Sequence, residues 1–321
     1  MKRRDFISLV GAAAAISVRP LAARAQPTKM ARIGVLTPAN PEPFWSIFRK
    51  AMAGLGYVEG QNILFEFRSA QGKPELLPSL ARELVRLNVD VIVAYQTPSV
   101  SAAKDATTTI PIVMSGAGDP VGTGLIASLA RPGGNITGSS STTNESGAKI
   151  LEIAREILPS LRRVGVLANA TDPFTTSLLK QVNHGGEVLG IAVQPVMVGG
   201  VGDFEAALQQ MTKANADAVL IQPSLPRNVA AELALKHRLP AIAPVNSFAH
   251  EGGLMSFAAD QNEIYSLAAH FVVRVLNGDK PADLPVQEPT KYLLSINVKI
   301  AKALGLTVPA AMLVRADEVI E

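Results

Sequence analysis

Hydrogen-bonding side chains and aromatic rings recur along this chain just after short apolar, β-branched runs. Thr37 ends the first run and precedes Phe44 and Trp45; Tyr95, Gln96, Thr97 and Ser99 follow Val91-Ile92-Val93; Gly116 and Asp119 follow Ile112-Val113-Met114. Farther along, Asn169 and Phe174, then Gln222 and Ser224, then Asn246, occupy equivalent points. That mixture suits reversible capture of a small molecule with an apolar body and a polar end. Bond-making chemistry has less to work with. His184, His237, His250 and His270 fall on separate elements without metal-ligand spacing, and neither H-E-x-x-H nor G-x-S-x-G occurs. The stretch Gly116-Ala117-Gly118-Asp119-Pro120-Val121-Gly122 imitates a dinucleotide fingerprint, but Val121 stands where the third glycine belongs. The expectation is a binding protein and not an enzyme, with no cofactor and no metal.

Each candidate has a structural reading beside the functional one. Thr97 and Ser99 could cap a helix starting near Pro98, and a helix start also offers N–H groups and positive dipole to a carboxylate. Asp119 could be a turn residue before Pro120 or the anchor of a ligand ammonium. Trp45, the single tryptophan, could pack in the core or form a wall of the site, with Tyr95 and Phe174 as the other aromatic surfaces.

Such residues work together only if the fold gathers them, and the chain contains two imperfect copies of one plan. Ile33-Gly34-Val35-Leu36, Pro43-Phe44, a helix-like stretch to Gly56 and Asp90 to Pro98 make the first. Val164-Gly165-Val166-Leu167, Pro173-Phe174, a helix-like stretch to Gly190 and Asp217 to Pro223 make the second. Short β-branched runs alternating with longer amphipathic ones indicate βαβ units and parallel sheet. The fold class is thus α/β, with two similar lobes and a ligand cleft at the carboxyl ends of their strands.

Expected strands lie near 32–37, 61–68, 90–95, 110–115, 163–168, 191–196, 216–221, 240–243, 254–257 and 291–296. Helices are expected at 43–56, 74–88, 98–106, 145–158, 173–188, 203–214, 226–237, 260–277 and 297–304, with a short one near 123–130. Residues 26–140 form the first lobe with returning segments around 258–275 and 290–321. Residues 141–257 form the second with a segment around 276–289. The first crossing runs through Ser139 to Thr143, and two or three connections make the hinge.

Residues 1–25 read as an export signal. Lys2, Arg3 and Arg4 head an apolar run from Phe6 to Val18, and Ala23-Arg24-Ala25 is a small-x-small cleavage site. The run is too short for a membrane span, and Arg3-Arg4 before Asp5-Phe6-Ile7 fits a twin-arginine signal cleaved after Ala25. Without it, Lys+Arg falls from 30 to 25 and Asp+Glu from 27 to 26, so the net charge goes from +3 to about −1. The basic balance belongs to the signal and gives no support to nucleic-acid binding. With no cysteine in 321 residues, disulfides, thiolate metal sites and a lipid-modified cysteine are all excluded. The expected product is a free periplasmic monomer.

The mature chain resembles the ABC-transporter substrate-binding proteins of the type 1 periplasmic binding fold, in the branch related to tryptophan and aromatic-compound uptake. Gly56-Tyr57-Val58-Glu59-Gly60-Gln61-Asn62, Thr109-Ile110-Pro111-Ile112-Val113, Asp119-Pro120-Val121, Leu129 to Gly138, Gly252-Gly253-Leu254-Met255-Ser256 and most of Asp283 to Pro309 carry the likeness. Ser256-Phe257-Ala258 departs from the family's Ser-Tyr-Gly, and Asn169-Ala170-Thr171-Asp172 from its Asn-Pro. The resemblance implies two Rossmann-like lobes joined by a multi-strand hinge, capture of an amino acid or aromatic carboxylate by closure, and delivery to an inner-membrane permease. Two other readings stay open at this point: an exported α/β enzyme acting on a small carboxylate, and a ligand-sensing subunit of a membrane receptor.

Overall fold

The computed structural model describes residues 30–141 and 146–321; the stretch read as an export signal and part of the expected first crossing lie outside them. Five parallel strands form the first sheet: β1 (Ala31–Thr37), β2 (Ile63–Ser69), β3 (Val91–Tyr95), β4 (Ile112–Ala117) and β5 (Ile136–Ser140), in the order β2-β1-β3-β4-β5. Between them run α1 (Phe44–Gly54), α2 (Leu77–Arg86) and α3 (Gln96–Ala106). After α4 (Ser146–Ile157) come β6 (Arg163–Asn169), α5 (Thr175–Leu189), β7 (Ala192–Val198), α6 (Phe204–Lys213), β8 (Ala218–Ile221), α7 (Arg227–Lys236) and β9 (Ala241–Ala243). Then follow β10 (Met255–Ala259), α8 (Gln261–Leu276), β11 (Tyr292–Asn297), α9 (Val298–Leu304), α10 (Ala310–Arg315) and β12 (Glu318–Ile320). The second sheet runs β12-β11-β10-β9-β8-β6-β7. Its run β7-β6-β8-β9 repeats the β2-β1-β3-β4 order of the first, so the duplication read in the sequence is a duplication of topology. Both sheets reverse winding direction beside their first strand, which opens a crevice at the carboxyl strand ends.

Local sequence explains the elements. Every residue of β3 is buried because helices cover both sheet faces, so the strand is continuously apolar instead of alternating. In α1, Phe44, Phe48 and Met52 recur every fourth position and all three are buried. Asp260 caps α8 by accepting the Asn262 N–H at 2.9 Å, and Asn297 caps α9 by accepting the Ile300 N–H at 2.9 Å.

Four expectations need correction. Residues 123–130 form turns, not a helix, because Leu125 and Ile126 N–H both donate to the Pro120 carbonyl. Residues 136–140 are a paired strand, not the start of a crossing, with Ile136 beside Ile112 and Ser139 beside Ser115. Residues 290–321 belong to the second sheet: β11 pairs antiparallel with β10 and parallel with β12, and Leu294, Ile296, Ala301 and Met312 enter that lobe's core. Conversely, Leu284 and Val286 bury in the first lobe. The Ser140 N–H donates to the Gln287 carbonyl at 2.9 Å, and the Gln287 N–H to Gly138 at 3.1 Å. Short amphipathic tail segments can cover either lobe, and strand pairing decides between them.

The chain therefore passes between lobes three times: after Ser140, from Ala259 into Gln261, and between Gln287 and Tyr292. Although α8 follows a strand of the second sheet, its Tyr265, Ala268, Phe271 and Val272 pack in the first lobe's core with Phe44 and Val93.

Candidate functional site

Gln96, the first residue of α3, donates from Nε2 to the Pro223 carbonyl beyond β8 at 3.2 Å. Asp119 beyond β4 accepts from Ser177 Oγ of α5 at 2.6 Å. The two lobes thus touch directly at their strand ends, and a cavity lies enclosed between them. It holds only about 40 Å³ with the lobes in this arrangement, so a ligand larger than a few waters enters only when the lobes move apart.

Three layers line that cavity. Tyr95, Gln96 and Gly116 come from the first lobe, Pro223, Pro244 and Val245 from the second, and Gln261, Ile264 and Tyr265 from the crossing into α8. Tyr95 and Tyr265 join their hydroxyls at 2.9 Å, and Gln261 Nε2 donates to the Tyr265 oxygen at 2.7 Å. Phe44 stacks on Tyr95 with ring centroids 4.7 Å apart and meets Tyr265 edge-on at 5.4 Å. Burial pushes the Tyr95 phenol above its usual range, partly offset by the nearby Arg227 charge. Burial raises Tyr265 further, with Tyr95 adding to it. Both phenols stay neutral at physiological pH and can each donate one hydrogen bond.

Outside this cavity a wider groove of about 490 Å³ opens between Asn40, Ser69 and Gln71 of the first lobe and Pro226, Arg227 and Glu251 of the second. Arg227 holds Glu251 bidentately, Nε to Oε2 at 2.9 Å and Nη2 to Oε1 at 2.7 Å.

Of the residues expected to contact ligand, Tyr95, Gln96 and Gly116 line the inner cavity. Phe44 supports Tyr95 from behind. Asn246 anchors the second crossing, donating to the Ala258 carbonyl and accepting the Gln261 N–H, both at 3.2 Å. Thr37 is fully buried and turns toward the Ala39 carbonyl. Thr97 does not cap α3; its hydroxyl accepts the Gly118 N–H at 2.9 Å. Ser99 is fully buried and its hydroxyl has no hydrogen-bond partner among the described residues. Trp45 packs on Phe65 and Phe67 at 4.9 and 5.1 Å with Arg49 over its ring, which puts it on β2 and not on the cavity. Asp119 serves the turn and the lobe contact together, accepting the Gly122 N–H at 2.8 Å beside Ser177. Phe174 is buried in the second lobe against Gly118.

Asn169, Gln222 and Ser224 do meet, but around a residue that was not singled out. Asp172 accepts from the Phe174 N–H at 2.9 Å, from Gln222 Nε2 at 2.9 Å and from Ser224 Oγ at 2.5 Å, and Asn169 Nδ2 donates to Ser224. This network ties the loops after β6 and β8 together. Burial raises the Asp172 carboxyl above its ordinary 3.8, against the pull of these donors. The native state therefore keeps a proton that the unfolded chain releases, and stability falls as pH climbs from 3.8 through the raised native value. Unfolding free energies of the parent chain and Asp172→Asn, measured in urea from pH 4 to 8, should diverge with rising pH, the parent losing stability relative to the variant. Parallel curves would remove Asp172 as the cause.

Tyr265, Gln261, Arg227 and Glu251 were missed in the sequence. For the first two a signal existed, since Asp260 directly after a strand is an N-cap and sets a helix start at a crossing. Two of the four histidines sit against carboxylates outside the inner cavity: His237 beside Glu205 and His250 beside Glu318, each at 2.9 Å. Among the described residues no acidic or histidine cluster is arranged to hold a metal, and no helix is long and apolar enough to cross a membrane.

Comparison with known proteins fits this geometry. The family model described as ABC transporter substrate binding protein matches residues 44–320. A protein named tyrosine-binding protein from Clostridioides difficile is 28% identical over 265 residues, 81% of this chain and 75% of that one. A conserved domain protein from Vibrio cholerae superposes with a TM-score of 0.84 at 29% identity, over 91% of this chain and all of that one. An ABC domain from Streptococcus pneumonia, solved in complex with L-Trp, gives a TM-score of 0.82 at 26% identity, over 90% of this chain and 99% of that one. With the match running from α1 to the last strand and taking in every strand but β1, this chain belongs to the ABC transporter substrate binding protein family.

Proposed function

We propose that this protein captures an amino acid with an aromatic side chain in the periplasm and hands it to an inner-membrane ABC permease. The reading rests on one observation above all: the inner cavity is apolar and aromatic, yet offers phenol and amide groups at Tyr95, Tyr265, Gln96 and Gln261. Relatives described as binding tyrosine and L-Trp support the same class. In this reading the ligand bridges the lobes, and its contacts with both supply the free energy of closure. The chain works as a monomer, is exported by its first 25 residues, and releases its ligand unchanged. Aromatic carboxylates without an amino group are the second class to try, because the same aromatic walls accept their apolar body.

Ligand-stripped mature chain should unfold at higher temperature with tryptophan, tyrosine or phenylalanine and not with short aliphatic carboxylates. Saturation at 100 times Kd stabilises the native state by about 2.7 kcal/mol. Tyr265→Ala should abolish the shift. If no aromatic compound raises the midpoint, the aromatic reading is wrong.

A further inference from the structure

Arg227 and Glu251 line the outer groove, one hydrogen bond away from Pro223, which lines the inner cavity. Arg227 Nη1 donates to the Pro223 carbonyl at 2.7 Å, and that carbonyl also receives Gln96 from the opposite lobe. Ser247 Oγ donates to Glu251 Oε1 at 2.8 Å. Each ion is therefore held in place by a neutral group as well as by the other. No other acid or base lines either recess: the inner cavity is neutral throughout, and the groove's charges are these two. Both side chains are largely shielded from water, at 10% and 21% exposure.

A pair so placed is costly to break and cheap to exchange. Removing one partner from a buried pair leaves the other uncompensated, whereas an incoming group of the right sign restores the balance. Resting on the aromatic amino-acid reading above, we propose that Arg227 and Glu251 bind the ligand's α-carboxylate and α-ammonium, trading their mutual pair for one with each charge of the zwitterion. Only a ligand carrying both charges compensates both ions. A decarboxylated amine satisfies Glu251 and strands Arg227, and a deaminated acid does the reverse, so the site rejects both by leaving a buried ion unpaired. The aromatic body then extends toward Tyr95 and Tyr265, and Pro223 links the charged end to the lobe contact at Gln96.

Calorimetric titration of the mature chain with L-tryptophan, tryptamine and 3-indolepropionate tests this. Tryptophan should bind at least ~10-fold more tightly than either analogue, the scale of one charged hydrogen-bonded contact. Glu251→Gln should weaken tryptophan by a similar factor and leave 3-indolepropionate unchanged or improved. Arg227→Met should weaken tryptophan and spare tryptamine; if that variant fails to fold, Glu251→Gln and the wild-type analogue series decide alone. Equal losses for all three compounds, or equal wild-type affinities, would make the pair a scaffold element while the aromatic reading stands. Failure of wild-type chain to bind any of the three removes the aromatic reading and this inference with it.

Discussion

Gly118→Val should weaken ligand binding roughly 100-fold while leaving each lobe folded. A Cβ at Gly118 would sit 2.6 to 2.7 Å from three carbons of the Phe174 ring. That ring is 4% exposed and held in the second lobe's core, so it has no open direction in which to retreat. Gly118 belongs to the first lobe, following β4, where the Ala117 carbonyl accepts the Ser141 N–H at 3.0 Å next to the first crossing. A wedge beside the crossing forces the strand ends apart along the whole cleft. If it disfavours the closed arrangement by about 2.7 kcal/mol, apparent affinity falls about 100-fold, because only the closed fraction binds. Titration would give the affinity and small-angle scattering a larger radius of gyration. Phe174→Leu in the same chain should recover part of both. Unchanged affinity together with unchanged scattering would show that the ring yields and that this contact does not govern closure.

Gly138→Ala should act on stability instead, by about 4 kcal/mol or more, the range reserved for strain and overpacking at a buried position. Gly138 lies in β5 at φ +128°, and a Cβ there would collide with the Met114 carbonyl oxygen of β4 while lying 2.8 Å from the Met114 nitrogen. The same residue's carbonyl accepts the Gln287 N–H, so the third crossing loses its anchor when β5 shifts. Gly133→Ala separates the two causes. At φ +78° it meets nothing closer than 3.6 Å, and its cost should be the backbone penalty alone, about 1–2 kcal/mol. Urea unfolding of both variants decides; equal, small losses would show that β5 can move away from β4 without harm.

Much of this was legible in the residues because local patterns govern it. The β-branched runs at Ile33–Leu36 and Val164–Leu167 became equivalent strands in two sheets, and the order β7-β6-β8-β9 repeated β2-β1-β3-β4. Tyr95, as the single aromatic ending an aliphatic run, reached the cavity with Gln96 and Gly116. Trp45 shows the limit. Helix α1 presents residues on several faces, and its spacing cannot say whether the indole meets a ligand or Phe65 and Phe67 on the neighbouring strand. Asn169, Gln222 and Ser224 are polar at strand ends, as a site requires, but loops need the same groups to satisfy one another around Asp172.

The sequence by itself determined the two α/β halves, the parallel run of strands within each repeated copy and the edge at which a cleft must form, because hydrophobic period and turn residues act over short stretches of chain. Only the tertiary structure decided which lobe each tail segment covers, and which side chains enter the cleft. Leu284 and Val286 went to the first lobe, β11 and β12 to the second. Tyr265 met Tyr95 across 170 residues, and Arg227 met Glu251 across 24. Pairings over such separations depend on packing and strand register set by the whole chain, and no local pattern encodes them.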